Sequence, residues 1–424
     1  MERVRQLVSH LTPGSVKGLD AVTAKSPDDV VITMAVRTPM CKAKKGALKD
    51  TTSEELLVEI FREAVKHSNI DPGLIGDIAV GTVLPKKPMY EARAASLAAG
   101  IPEHVPVQVV NRFCSSGLMA ITDISNKIKA GQIEVGLAIG IESMSTNPDD
   151  PWTPNSAAVN EHQAAKDCSM PMGWTSENVA GEFAVEREDM DALAALSFQR
   201  AEHAQKSGYF KKEIVPITIA SKNPDGTIST KVVHEDDGIR YGTTKESLLK
   251  IRAAFPQWAP SYTTGGNASQ LTDGAAAVLL MTRRKAEALG LKIVGKHVAT
   301  AVTGVAPRVM GIGPRYAIPM ILSQVGISQD DVDLFEINEA FMSMYVYCTR
   351  ELGLDINKVN VNGGAVAFGH PLDEYQSFSA FPRCTGARQV ATGLNELERR
   401  NGKVLVTSMC IGAGQGAAAV FVRE

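Results

Sequence analysis

One succession of elements occurs twice in this chain, and that repetition restricts the fold more than any other feature. Near the start, apolar extended runs over 30–36, 78–80 and 135–141 alternate with helical patterns over 53–66, 91–99 and 118–130. In the last third, extended runs over 297–302, 332–337, 359–361 and 403–409 alternate with helical patterns over 317–325, 339–352 and 386–399. The pattern over 53–66 places Leu56, Leu57, Ile60, Phe61 and Val65 on one side, as a core-facing helix requires. Strands alternating with helices predict a parallel sheet covered on both faces. A literal repeat accompanies the order. Gly274-Ala275-Ala276-Ala277-Val278 returns as Gly416-Ala417-Ala418-Ala419-Val420, each time leading into an apolar strand. Alanine-rich words recur by chance, so the shared order carries the inference of a duplicated α/β chain.

Aligning the two series locates an insertion. In the second, the strand 403–409 returns within a few residues to a strand starting near Gly416. In the first, the matching strands end at 141 and begin at 274, so the intervening residues form a lobe. It carries a helix over 186–207 that stops at Gly208. Lys211, Lys212, Lys222, Lys231, Arg240, Lys245, Lys250 and Arg252 lie along it. Such cations usually form a solvated face, but a lobe grafted on a core is also where a large anionic ligand would bind. The chain as a whole, with net charge −3, has no basic excess suited to nucleic acid. No apolar run is long enough to span a bilayer. The six cysteines include no Cys-x-x-Cys pair, which predicts free thiols in a reducing compartment.

Residues 1–28 read as separate from the fold. Arg3-Val4, five residues, then His10-Leu11 has the form of an N-terminal peroxisomal address read by a soluble import receptor. The same residues also read as a frayed amphipathic terminus, with Val4, Leu7 and Leu11 on one face. An unread address would leave the protein in the cytoplasm. No continuous apolar stretch marks a secretory signal.

The chemistry concentrates at four stretches. Val109-Val110 runs into Asn111-Arg112-Phe113-Cys114, after which Leu118, Ile121, Ile124 and Ile128 mark one face of a helix. Ser115, Ser116 and Gly117 suit a sharp strand-to-helix turn. Cys114 then lies at the helix's positive end, where unpaired N–H groups and the macrodipole favour a thiolate. A lone cysteine is more often a small buried hydrophobe. The other stretches are Asn338-Glu339-Ala340-Phe341, the small-residue loop from Gly363 to His370-Pro371, and Cys410-Ile411-Gly412-Ala413-Gly414. Cys114, Asn338 and Cys410 fall at carboxyl ends of predicted strands, where α/β sheets build their sites. Each stretch has a plainer reading: Asn338 as a helix N-cap, His370 as a satisfied loop histidine, Cys410 as a structural thiol. Gly412-x-Gly414-x-Gly416 is no dinucleotide fingerprint, because it opens a strand instead of a helix and lacks the downstream acid. No ligand spacing suits zinc.

Taken together and in this order, Asn-x-x-Cys-Ser-Ser-Gly, Asn-Glu-Ala-Phe, Gly-His-Pro and Cys-Ile-Gly-x-Gly resemble the thiolase family, most nearly its peroxisomal 3-ketoacyl-CoA members. The resemblance runs from about Val30 to the last strand. It implies an α/β fold with a duplicated five-layer αβαβα core and an inserted loop lobe. The implied division is a targeting segment 1–28, a first half 29–145 plus 265–292, a CoA-binding lobe 146–264 and a second half 293–424. The implied activity is acyl transfer: thiolytic cleavage of 3-ketoacyl-CoA to acetyl-CoA and a shortened acyl-CoA in fatty-acid β-oxidation. Coenzyme A is a co-substrate, and no cofactor is permanently bound. By resemblance Cys114 is the nucleophile and His370 its base, while Cys410 is the second acid–base. Asn338 holds a water, and the N–H groups of Cys114 and Gly412 form an oxyanion hole. Arg240 would face a CoA phosphate, Ser269 the pantetheine arm, and Met172 the acyl pocket. Relatives are dimers or tetramers, so a homodimer or homotetramer is expected.

The sequence departs from the family near this site. Residues 373–383 stand between Leu372 and Cys384-Thr385-Gly386-Ala387-Arg388, where the family has one glycine. A loop that bulges outward is tolerated, since each doubling of length costs only about 0.6 kcal/mol. A histidine displaced by about 1 Å, however, loses on the order of 100-fold in rate. Phe113, Met342, Phe368 and Trp174 replace smaller or polar residues, and Pro256, Trp258 and Pro260 occupy a loop that relatives make polar. These changes predict an altered chain-length preference. Two further readings stay open: the same steps run as acetoacetyl-CoA condensation, or a thiolase-shaped acyl-CoA- or lipid-binding protein impaired by the insert. A decarboxylating ketoacyl synthase fits less well, because Cys410 with Asn338 stands in place of its second histidine.

Overall fold

A computed structural model describes residues 18–147, 152–222, 226–258, 260–369 and 384–424. The proposed address residues Arg3, Val4, His10 and Leu11, together with His370 and residues 373–383, lie outside the described residues.

The strands are β1 (Val30–Arg37), β2 (Cys41–Lys42), β3 (Asp77–Gly81), β4 (Val107–Val110), β5 (Val135–Ser143), β6 (Ile217–Lys222), β7 (Ile228–Val233), β8 (Thr272–Thr282), β9 (Gly295–Gly304), β10 (Leu334–Ile337), β11 (Val404–Ile411) and β12 (Gln415–Arg423). One sheet runs in the order β10-β11-β12-β9-β1-β8-β5-β3-β4, with β2 beside β8, and β6 and β7 form a separate hairpin. Within this sheet the two halves pair through Val31–Lys296 and Ile32–Gly295, between β1 and β9. The strand order from this seam outward is the same on both sides. β1, β8, β5, β3 and β4 correspond to β9, β12, β11, β10 and an isolated parallel bridge from Phe335 to Val359.

The expectation of a parallel sheet is corrected. Pairs β3–β4, β3–β5 and β10–β11 are parallel, whereas β5–β8, β8–β1, β11–β12 and β12–β9 are antiparallel. Apolar alternation identifies a strand without revealing its direction.

Alternation along each strand builds the layers. On β8, Ala275, Ala277, Leu279 and Met281 face an outer core with the helix Ser53–Ser68, while Ala276, Val278 and Leu280 face a central one. On β12, Ala417, Ala419 and Phe421 join that central core, and Ala418, Val420 and Val422 face the opposite outer core. The central layer holds the helices Ser116–Lys129 and Thr385–Arg400, which pack on each other and between the two half-sheets. Helices Pro88–Ala98 and Gly313–Val325 lie in the outer layers with Ser53–Ser68 and Met342–Leu352. Thr52 and Glu55 close a capping box that fixes the start of Ser53–Ser68.

The lobe between β5 and β8 does not stand apart. Val179 and Ala180 from helix Met172–Glu182 are buried in the outer core of the second half, as are Met190, Ala194, Phe198 and Ala201 from helix Arg187–Lys206. Ile217, Ile219 and Val233 of the β6–β7 hairpin are buried in the outer core of the first. A fully buried Arg37 at the end of β1 binds the lobe. Its guanidinium donates to Glu213 at 2.7 Å and to both oxygens of Asp236 at 2.7 and 2.9 Å.

Candidate active site

β4 ends at Val110, and the helix that carries Leu118 and Ile121 inward begins at Ser116. The turn between them is locked by its own side chains. Asn111 Oδ1 accepts from Phe113 N–H at 3.1 Å, Ser115 Oγ donates to Arg112 O at 2.9 Å, and Ser116 Oγ donates to Phe113 O at 2.7 Å. Phe113 takes φ +43°, a left-handed conformation unusual for an aromatic residue and typical of a constrained functional turn. Cys114 is buried directly before the helix. Two glycines not singled out from sequence permit this arrangement. A side chain at Gly81 would strike the backbone of Ser116, and one at Gly386 would strike Leu118 N at 2.5 Å. Only contacts between distant segments show that role, so nothing in the local pattern signals it.

Cys410 lies inside β11 and not after it, as the sequence suggested, and is fully buried. Beyond it Gly412-Ala413-Gly414 turns the chain into β12, with Ala413 and Gly414 at φ +60° and +83°. No Cβ is tolerated at Gly414, where it would lie 2.8 Å from Pro307 N. A Cβ at Gly412 would lie 3.6 Å from Phe113 Cγ and 3.9 Å from Met172 Sδ, so the turn faces both residues. Cys114, Cys410, Met172, Ala268, Met310, Ala340, Phe341 and Met344 form one buried cluster. Burial pushes the Cys410 thiol well above its ordinary range, and the neighbouring Cys114 sulfur pushes the same way. Cys410 is therefore a thiol at neutral pH.

Asn338 follows β10 with its N–H on Ser408 O at 2.9 Å, beside the strand that carries Cys410. The helix expected to open here begins only at Met342, with extended Phe341 as its N-cap, so the N-cap reading of Asn338 is wrong. The delay has a cause. Ala268 bridges Phe341, and Ser269 N–H donates to Ala340 O at 3.0 Å, which holds the segment extended. Asn338 is fully buried, and neither its Oδ1 nor its Nδ2 has a partner among the described residues. Buried amides are normally satisfied, so this one is open to a partner beyond the described residues.

Glu339 and Gln270 were not given roles from sequence, and both hold the loop leading to His370. Glu339 accepts from Ser197 Oγ at 2.7 Å, Asn360 Nδ2 at 2.9 Å and Val366 N–H at 3.1 Å. Gln270 Nε2 donates to the carbonyls of Gly238, Val366 and Ala367 at 2.9–3.0 Å. The described flanks of the following segment, Gly369 and Cys384, line one small cavity with Thr272 and Met40.

The lobe residues distribute as follows. Met172 opens helix Met172–Glu182 against both thiols. Ser269 is buried on the segment that braces Ala340. Arg240, half-buried, donates to Gly265 O at 2.9 Å and lies over the Phe198 ring at 5.3 Å. Lys212 and Lys245 pair with Glu398 and Glu188, as solvated cations do. All six cysteines are free. Burial raises Cys348 and Cys384 to about 12 and Cys41 higher still, which leaves them as inert packing thiols. Among the described residues no group of side chains could hold a metal ion, and no helix is long and apolar enough to cross a membrane.

A doubled α/β core that brings a helix-start thiol and a strand-end thiol into one buried cluster defines a two-cysteine protein of the acyl-transfer type. Known proteins give the finer placement. Residues 30–284 match the thiolase N-terminal domain and 291–423 the thiolase C-terminal domain. The chain belongs to the thiolase family. It is 49% identical over 426 residues to the peroxisomal 3-ketoacyl-CoA thiolase of Yarrowia lipolytica, covering 100% of both chains. Its fold matches the crystal structure of the dimeric peroxisomal thiolase of Saccharomyces cerevisiae with TM-score 0.86 at 44% identity, covering 96% of this chain and 100% of that one. It also matches human mitochondrial 3-ketoacyl-CoA thiolase in complex with CoA, with TM-score 0.80 at 33% identity over 93% of this chain and 98% of that one.

Proposed function

We propose that this protein cleaves 3-ketoacyl-CoA with free CoA, releasing acetyl-CoA and a shortened acyl-CoA through an acyl-cysteine intermediate. The observation that carries the reading is the single cluster around Cys114 and Cys410, with the amide of Asn338, unpartnered among the described residues, just past the end of the strand beside β11. Cys114, its proton taken by His370, attacks the 3-keto carbon. The C–S bond forms and the resulting tetrahedral oxyanion collapses. The carbon–carbon bond breaks with its electron pair passing to the α-carbon of acetyl-CoA, which takes the Cys410 proton. A water held on Asn338, with His370, stabilises the enolate oxygen. The Cys410 thiolate then takes the proton of incoming CoA. CoA sulfur attacks the acyl group, and Cys114 leaves as thiolate. In this second half the N–H groups of Cys114 and Gly412 meet the oxyanion, each such donor contributing about 3–4 kcal/mol.

CoA binding follows from the lobe: Arg240 toward a phosphate, Ser269 toward the pantetheine arm, Met172 toward the acyl chain. Four segments carry the work: 1–28 for targeting, 29–145 plus 265–292 as the first half, 146–264 as the CoA lobe, and 293–424 as the second half. The names of the relatives support peroxisomal residence, with Arg3, Val4, His10 and Leu11 as the address, and a homodimer. Phe113, 40% exposed at the mouth over Gly412, narrows the acyl end and favours shorter chains.

The test mixes pure protein with CoA and a series of short, medium and long 3-ketoacyl-CoAs and follows acetyl-CoA release, with Cys114→Ala as control. Release that depends on Cys114 is expected. Binding of acyl-CoA without release would favour a lipid-binding relative impaired by residues 373–383. The same enzyme run backward condenses acetyl-CoA, and a marked preference for acetoacetyl-CoA over longer 3-ketoacyl-CoAs in that series would favour this use.

A further inference from the structure

We propose that Met344 is a positioning residue for the proton that Cys410 carries: its thioether aims the thiol before cleavage and adds no donor to the thiolate afterwards. The proposal rests on the thiolytic reading above and adds to it a residue outside the four family motifs. Met344 lies in the first turn of helix Met342–Leu352, fully enclosed, and its Sδ is 3.2 Å from Cys410 Sγ, which donates to it.

The sulfur is held from both sides. A Cβ at Gly311 would lie 2.8 Å from Met344 Cβ, so the glycine is what admits the side chain here. The preceding residue is tethered by Ser343 Oγ to Ser176 Oγ at 2.8 Å. Met172 and Met310 bring two more thioethers to the buried cluster, but the Cys410 thiol is placed on the Met344 sulfur. A thioether accepts weakly and has no proton to give. It can therefore orient the S–H without competing for the proton when the acetyl-CoA carbanion needs it. Once the proton has moved, a group without an N–H or O–H offers the Cys410 thiolate nothing. The anion stays basic enough to deprotonate CoA. An amide in the same place would donate to the thiolate and blunt that basicity.

The experiment uses the full chain with Met344→Leu, which keeps the apolar volume and loses the acceptor, and Met344→Gln, which supplies a donor. Three rates are measured: alkylation of Cys114 by iodoacetamide, exchange of the α-hydrogens of acetyl-CoA in D2O, and thiolysis of acetoacetyl-CoA. Expected for Met344→Leu is a drop of about tenfold in exchange and kcat, a small part of a general acid–base contribution, with KM and Cys114 alkylation within about twofold of wild type. Expected for Met344→Gln is a pH profile of exchange moved to lower pH, as the amide stabilises the thiolate. Wild-type exchange rates and pH profiles in both variants would overturn the assignment. So would alkylation falling in step with exchange, because that marks a merely structural role. A wild-type enzyme that releases no acetyl-CoA would instead remove the thiolytic reading underneath.

Discussion

The two halves share a strand order and differ in how they spend their connections. In the first, β4 reaches its central helix through residues 111–115, and β5 reaches β8 only after residues 144–271. In the second these proportions are reversed. Val359 reaches the central helix through residues 360–384, and β11 returns to β12 by the turn Gly412-Ala413-Gly414. One tight connection carries Cys114, and the other directly follows the end of β11 that carries Cys410. The long ones carry the inserted lobe and the segment that contains His370. A duplicated fold can thus build an asymmetric site without altering its sheet, because loops at strand ends vary while the scaffold holds.

If the two thiols have unequal duties, removing each should leave a different remainder. Cys114→Ala should abolish thiolysis and iodoacetamide labelling at that position together. Cys410→Ala should reduce thiolysis by about 10³-fold, within the usual general acid–base range, while Cys114 still reacts with iodoacetamide. Equal loss of labelling in both variants would show that the halves do not divide the work this way.

The lobe supplies the next largest effect. Arg37 joins β1 to Glu213 and Asp236 of the lobe, and Glu213 also accepts from Thr392 Oγ1 at 2.9 Å on the central helix of the second half. Arg37→Met should destabilise the protein by about 3–5 kcal/mol, because two carboxylates are left buried without their cation. Urea unfolding followed by circular dichroism and by Trp174 and Trp258 fluorescence would measure it. One coincident transition is expected, since lobe helices share the outer core of the second half and the β6–β7 hairpin that of the first. An early, separate fluorescence transition would make the lobe an independent domain.

A smaller effect concerns the mouth. Phe113→Gln should raise kcat/KM for long 3-ketoacyl-CoAs by about tenfold and leave short ones nearly unchanged, the scale at which apolar pockets discriminate. Trp174, on the same helix as Met172, packs against Trp258 of the loop at 5.5 Å between ring centroids. Gly173 beneath Phe255 binds the bulky loop to that helix. An unchanged profile in Phe113→Gln together with a changed one in Trp258→Ala would move the determinant from the turn to the lobe.

Much of this arrangement was legible in the chain. Periodicity located the helices and strands of both halves, and the Cys114 turn read correctly from small residues between a β-branched run and a helical face. Strand direction was hidden, because alternation is blind to it. The start of the helix after Asn338 was hidden too, since pairing with Ala268 and Ser269, distant in sequence, holds Phe341 extended. The same holds for Gly81, Gly386 and Met344. Their roles lie in what approaches them, and no local pattern records it. Charge on the lobe proved a poor guide, because Lys212 and Lys245 already have partners while Arg240 turns to Gly265.

The comparison can also be sharpened through pH, with the smallest expected effect. Glu336 on β10 is buried in the second half, and Arg388 from the central helix donates to its Oε2 at 2.9 Å. Its Oε1 has no partner among the described residues. Burial outweighs the attraction of Arg388 and raises the carboxyl to about 8, with Glu213 and Glu339 adding repulsion. In the first half, burial raises Asp273 on β8 to about 6, against hydrogen bonds from Ser145. Both shifts are upward, so the folded chain binds protons more tightly than the unfolded one. The stability they contribute is fully present below the unfolded values near 4 and is lost as pH rises through about 6 and then about 8. Tm should therefore fall in two stages by a few degrees between mildly acidic and mildly alkaline buffer. Glu336→Gln should flatten the upper stage and leave the lower one. A variant that keeps the alkaline fall would assign it to another buried carboxyl, of which Glu213 and Glu339 are also raised by burial.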